Sequence, residues 1–166
     1  MRVDPHKRPL PARRPGTRGR SVELRMVFSC TPLGVRGALA RILAGLGAME
    51  LSADDSSTVE LVLAEVLNNV SEHAYRDDPE GLIEVQLTQT RAGLGCRVID
   101  SGHALPGCRL PPLRVPDPDR PLCDQPEGGF GWYLIHRLTR DLAYLRDGGR
   151  NILSFRIDVD QSLRRN

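Results

Sequence analysis

Glu65, Asn69 and His73 stand four residues apart in the run ELVLAEVLNNVSEHAY, Glu60 to Tyr75. That spacing returns to one side of an α-helix, so a carboxylate, an amide and an imidazole are expected in one row, joined by Asn68 and Glu72. Val59, Val62, Leu63, Val66, Val70 and Ala74 fall on an adjoining face that reads as core. Successive asparagines are poor helix formers, and a solvated face is more readily built from Glu, Lys or Ala. The functional reading makes Glu65 a general base and Asn69 a hard oxygen ligand for Mg. The plain alternative is a solvated polar stripe.

Two further stretches carry chemistry. In Val98-Ile99-Asp100-Ser101-Gly102 a strand pattern ends on a carboxylate and a glycine turn. A buried Asp100 there can accept a hydrogen bond from an exocyclic amine such as N6 of adenine, and Gly102 lets a flat base approach the backbone. An ordinary turn aspartate is the alternative. In Glu127 to Ile135, Gly128, Gly129 and Gly131 open an apolar helix. Backbone N–H groups at such a helix start bind phosphate without a lysine. Lys7 is the only lysine in the chain, whereas a Walker A loop and the ordinary protein-kinase fold both place a lysine at the phosphates.

The elements that must position these residues are readable in outline. Val22 to Ser29 alternates as a half-buried strand. Thr31-Pro32 opens a helix over Leu33 to Gly47, and Ser52 or Asp54 caps a second helix to about Tyr75. After a turn at residues 77–81, Leu82 to Thr90 and Leu94 to Asp100 form a hairpin around Arg91-Ala92-Gly93. Residues 103–127 hold seven prolines and little periodicity, as functional or disordered loops do. A helix over Gly128 to Arg140 follows, then a closing hairpin of Leu142 to Arg146 and Asn151 to Val159. The order implies an α+β two-layer sandwich, a mixed, mostly antiparallel sheet with helices on one face.

The three chemical stretches, in this order and spacing, resemble the N box and the two glycine boxes of the GHKL (HATPase) superfamily, whose ATP-binding domain has the Bergerat fold. Within it the chain resembles the anti-sigma-factor serine/threonine kinases of bacterial partner-switching systems. The resemblance rests on Glu65-x-x-x-Asn69-x-x-x-His73-Ala74-Tyr75, Asp100-x-Gly102, Gly129-x-Gly131 before Leu134-Ile135, and the ending Gly149-Arg150-Asn151-x-Leu153. It implies that Glu65 is the base acting on a substrate serine, that Asn69 binds Mg, and that Asp100 and Gly102 meet adenine. It places His73 in the nucleotide site, Gly129 and Gly131 against the phosphates, and an ATP lid over about 103–127. With no lid lysine, Arg109, Arg114 or Arg120 would meet the γ-phosphate. The implied activity is phosphorylation of an anti-sigma-factor antagonist by a cytoplasmic homodimer that also binds a sigma factor. Its rivals are an ATP-binding module that sequesters sigma without kinase activity, and the ATP domain of a histidine-kinase-like system.

Composition limits the other classes. With 166 residues and 40% hydrophobic residues, one folded domain is expected, over residues 21–160. Residues 1–20 hold seven basic residues, one acid and four prolines, and read as a disordered tail; residues 161–166 form a short C-terminal tail. The remaining 146 residues hold 16 basic and 20 acidic residues, which argues against a nucleic-acid-binding core. No stretch approaches the roughly 18 apolar residues of a membrane span. Cys30, Cys96, Cys108 and Cys123 lack metal-site spacing and read as free thiols of a reducing cytosol.

Overall fold

The computed structural model describes residues 23–160 apart from 50, 77, 79, 114 and 116–128. The basic tail, Val22, Arg114, Arg120, Cys123, Gly128, most of the expected lid and residues 161–166 lie outside the described residues.

Among the described residues there are five strands and three α-helices: β1 (Glu23–Ser29), α1 (Pro32–Leu46), α2 (Ala53–Asn69), β2 (Leu82–Thr90), β3 (Gly93–Asp100), α3 (Gly129–Leu138), β4 (Arg140–Asp147) and β5 (Arg150–Ile157). The sheet order is β1-β2-β3-β5-β4. All four pairings are antiparallel, so the expected mixed sheet is corrected to a uniform one. Two helices between β1 and β2 return the chain in the opposite direction, and the tight β4–β5 hairpin inserts β5 beside β3.

Local chemistry sets the helix starts. Thr31 Oγ1 accepts from the Gly34 amide at 3.1 Å, with Pro32 at the first helical position. Ser52 Oγ accepts from the Asp55 amide at 3.0 Å, which decides between the two candidate caps of α2. Strand alternation sends Ile83, Val85 and Leu87 of β2 and Leu94, Cys96 and Val98 of β3 inward. They meet Ile42 and Leu46 of α1, Val59, Val62, Leu63 and Val66 of α2, and Ile135 of α3. Cys30, Cys96 and Cys108 are free thiols, the first two buried.

The second helix does not run as one α-helix to Tyr75. It ends at Asn69, and Val70–Ala74 form a wider π-helical turn, with the Tyr75 amide bonding Val70 O at 3.3 Å. Such widened turns cluster at functional sites. Here the turn delivers Tyr75 to a point where its hydroxyl donates to Leu82 O and accepts from the Ser101 amide, both at 2.8 Å. The Ala74 carbonyl is left to accept from the His103 amide at 2.8 Å.

Candidate nucleotide site

Asp100 occupies an inward position of β3, in phase with Leu94, Cys96 and Val98, and is only 6% exposed. Its Oδ1 accepts from the Gly102 amide at 2.9 Å and from Asn151 Nδ2 at 2.7 Å. Burial pushes its carboxyl above the ordinary range, opposed by those two hydrogen bonds and by the charge of Arg146. Gly102 is pressed against the π-helical turn after α2: a Cβ there would fall on the carbonyl oxygen of Ala74. The glycine therefore serves close helix–turn packing, besides leaving the backbone bare.

Glu65 and Asn69 form the other end. A Cβ on Gly131 would lie 2.5 Å from Glu65 Oε2 and 3.9 Å from Asn69 Nδ2. The start of α3 thus rests on both side chains, and only a glycine leaves the carboxylate its place. Asn69 Nδ2 is buried without a hydrogen-bond partner among the described residues. A buried amide in that state costs free energy unless a ligand completes it. Turned over, the same amide offers Oδ1 at this point, which fits a hard cation held by one protein oxygen and by phosphate oxygens. No cluster of three His, Cys, Asp or Glu side chains able to hold a metal occurs among the described residues.

A cavity of about 360 Å³ is shared by both groups of residues: Asn69, His73, Ala74 and Asp100 all line it. Val66, Leu105, Pro106, Pro111, Trp132 and Leu153 supply apolar wall. The described part of the proline-rich stretch therefore lines the site, and a ring nitrogen of His136 meets Pro111 O at 2.9 Å, tying it to α3.

Of the expected site residues, Asn69, His73 and Asp100 line the cavity itself. Glu65 and Gly131 meet beside Asn69, Gly102 closes the Asp100 turn, and Gly129 begins α3. Asn68 and Glu72 are exposed. Arg109 lies along Gly107 and does not line the cavity. Sequence reasoning passed over Arg76, an arginine that does line it, and Tyr144 and Arg146, and it took Asn151 only as part of the family's ending. Asn151 had a signal: it is the polar member of an inward series with Leu153, Phe155 and Ile157.

The family described as histidine kinase-like ATPase domain matches residues 28–157, which takes in all of these residues. The chain belongs to that family. This GHKL-type ATPase domain implies ATP binding. It is 32% identical over 99 residues to the serine/threonine-protein kinase BtrW of Bordetella bronchiseptica, a match covering 58% of this chain and 66% of that protein. The chain thus spans just under two thirds of that relative's length. A Mycobacterium tuberculosis structure of RsbU and RsbW domains aligns with TM-score 0.54 at 14% identity, covering 83% of this chain and 32% of that one. This second likeness establishes the fold, a GHKL-like open sheet backed by helices. No helix among the described residues is long and apolar enough to cross a membrane.

Proposed function

We propose that this GHKL-type domain is an ATP-dependent protein serine kinase and anti-sigma factor of a bacterial partner-switching system. Its substrate is an anti-sigma-factor antagonist, phosphorylated on serine. The observation that carries the reading is the meeting of Glu65 and Asn69 at Gly131, with Asn69 lining the same cavity as the buried Asp100. Adenine lies at Asp100, and the phosphates lie at Asn69 and the amide-rich start of α3. Arg76, lining the cavity, adds the cation that a lysine supplies in other nucleotide sites. Mg, when bound, offsets the charge of the β- and γ-phosphate oxygens. Asn69 offers its side-chain oxygen to the metal. Glu65 takes the proton of the substrate hydroxyl as its oxygen bonds to the γ-phosphorus and ADP departs.

The kinase name of the Bordetella relative supports phosphotransfer. The resemblance to the anti-sigma-factor kinases supports the sigma factor as second partner, the homodimer and a cytoplasmic location. The test mixes purified domain, Mg-ATP and an anti-sigma-factor antagonist protein, and maps phosphate by mass spectrometry. Phosphoserine is expected with the wild type. Glu65→Gln should keep ATP binding and lose about 10²–10⁴-fold in rate. Sigma binding by an ATP-loaded wild type without any phosphotransfer would replace the kinase by a sequestering module.

A further inference from the structure

Asp100, Asn151 and Arg146 stand directly opposite one another across β3, β5 and β4. Their side chains lie in one row on the helix-covered side of the sheet. Asn151 is 4% exposed. Its Nδ2 donates to Asp100 Oδ1 at 2.7 Å and to His103 O at 3.0 Å, with Gly102 O at 3.4 Å. Its Oδ1 accepts from Tyr144 OH at 2.7 Å and from Arg146 Nη1 at 2.6 Å. A carboxamide has two N–H donors and two acceptor lone pairs, so this one has nothing left for a ligand. It also cannot be turned over, because that would set Oδ1 against a carboxylate and a carbonyl, and Nδ2 against a guanidinium. Arg146 is committed as well, donating to Gly102 O at 3.0 Å.

The consequence falls on Asp100. Two donors occupy its Oδ1, while Oδ2 makes no hydrogen bond to a described residue and the side chain borders the cavity. A carboxylate pinned in this way presents one fixed acceptor. The Tyr144 hydroxyl that donates to Asn151 also accepts from the Leu105 amide at 3.2 Å, so the same cluster holds the root of the proline-rich segment.

We propose that Asn151 is the positioning residue of base recognition. It aims the free oxygen of Asp100 at a purine amino group and, through Tyr144, joins that setting to the segment that roofs the base. The proposal rests on the nucleotide reading above. A fixed acceptor favours the 6-amino group of adenine and repels the 6-carbonyl oxygen of guanine. Base selectivity therefore measures the role, and loss of packing alone would weaken both nucleotides alike.

Binding of ATP and of GTP is measured by titration calorimetry on the full chain and on two variants. Asn151→Leu removes the whole clamp. It should lower ATP affinity about tenfold or more, leave GTP affinity nearly unchanged, and so reduce the ATP-over-GTP ratio by a similar factor. Tyr144→Phe deletes one hydroxyl and is compatible with folding. It should reduce the same ratio by a smaller factor and speed hydrogen exchange at the Leu105 amide. If Asn151→Leu does not fold, Tyr144→Phe decides alone. An unchanged ratio in the folded variants overturns the positioning role while the nucleotide reading stands. A wild-type chain that binds neither nucleotide overturns both.

Discussion

At the Asp100 end of the cavity, Asn151 spends its full hydrogen-bonding capacity within the protein and Asp100 keeps one open oxygen. At the Asn69 end, a buried amide nitrogen has no partner among the described residues, and the Glu65 carboxylate rests against the Gly131 backbone. The first end is wired before any ligand arrives, so its geometry is set by the fold. The second is left for charged groups that the ligand brings. A neutral base needs direction, which rigid dipoles supply. A polyphosphate with its metal needs open ligands and a mobile cation. The proposed function thus sets a preorganised reader beside an incomplete charge site.

The largest effect is expected where the incomplete end tolerates least. Gly131→Ala brings a Cβ to 2.5 Å from Glu65 Oε2 and must displace the carboxylate. Phosphotransfer in the mass-spectrometric assay should fall roughly 10²-fold, more than ATP affinity falls. A full-rate Gly131→Ala enzyme would mean that Glu65 is not placed by α3.

Asp100→Asn comes next and probes the wired end. It turns the free acceptor into a donor facing another donor, so ATP affinity should drop on the order of ten- to a hundredfold by calorimetry. Thermal stability at neutral pH should not fall with it. Folding raises the pKa of Asp100, so its favourable contribution is complete below the unfolded value and is lost as pH rises through the folded one. The neutral amide escapes that loss. A strongly lowered Tm would show that the carboxylate holds the turn together rather than waiting for a base.

Asn69→Ala is likewise expected to spare stability. Removing a buried amide without a partner should leave Tm unchanged or slightly higher, while the gain in ATP affinity on adding Mg disappears. Equal weakening with and without Mg would make Asn69 a packing residue. The smallest effect is on pH. Protonating Asp100 removes its acceptor charge, so wild-type ATP affinity should decline as pH falls through a value above the usual carboxylate range, and Asp100→Asn should show no such decline.

Much of this contrast is legible before folding. The Glu65–Asn69–His73 row follows from helical periodicity, and Asp100-x-Gly102 is visible as a strand end running into a turn. The widened turn after Asn69 is not legible, because it depends on where Tyr75 anchors, to Leu82 and Ser101. Asn151 is visible as a polar residue at an inward strand position, yet its partner is not, since β3 and β5 are brought side by side only by the strand order β3-β5-β4. Of the arginines weighed for the γ-phosphate, Arg109 lies off the cavity, while Arg114 and Arg120 lie outside the described residues. Arg76, one residue beyond the motif that ends at Tyr75, lines the cavity instead.

The family followed from the resemblance of three separate motifs in their order, while residue types and short-range spacing determined the order of the elements and the row of Glu65 and Asn69 on α2 with His73 just beyond it. These depend on periods of two and of about 3.6 residues, which the chain carries locally. Tertiary structure decided what those rows meet. The approach of α3 brings Gly131 onto Glu65 and Asn69, and cross-strand register sets Asn151 opposite Asp100 and Arg146 opposite Asn151. Both are contacts between segments far apart in sequence. Their distances follow from how the helices and strands pack together, and no local period records them.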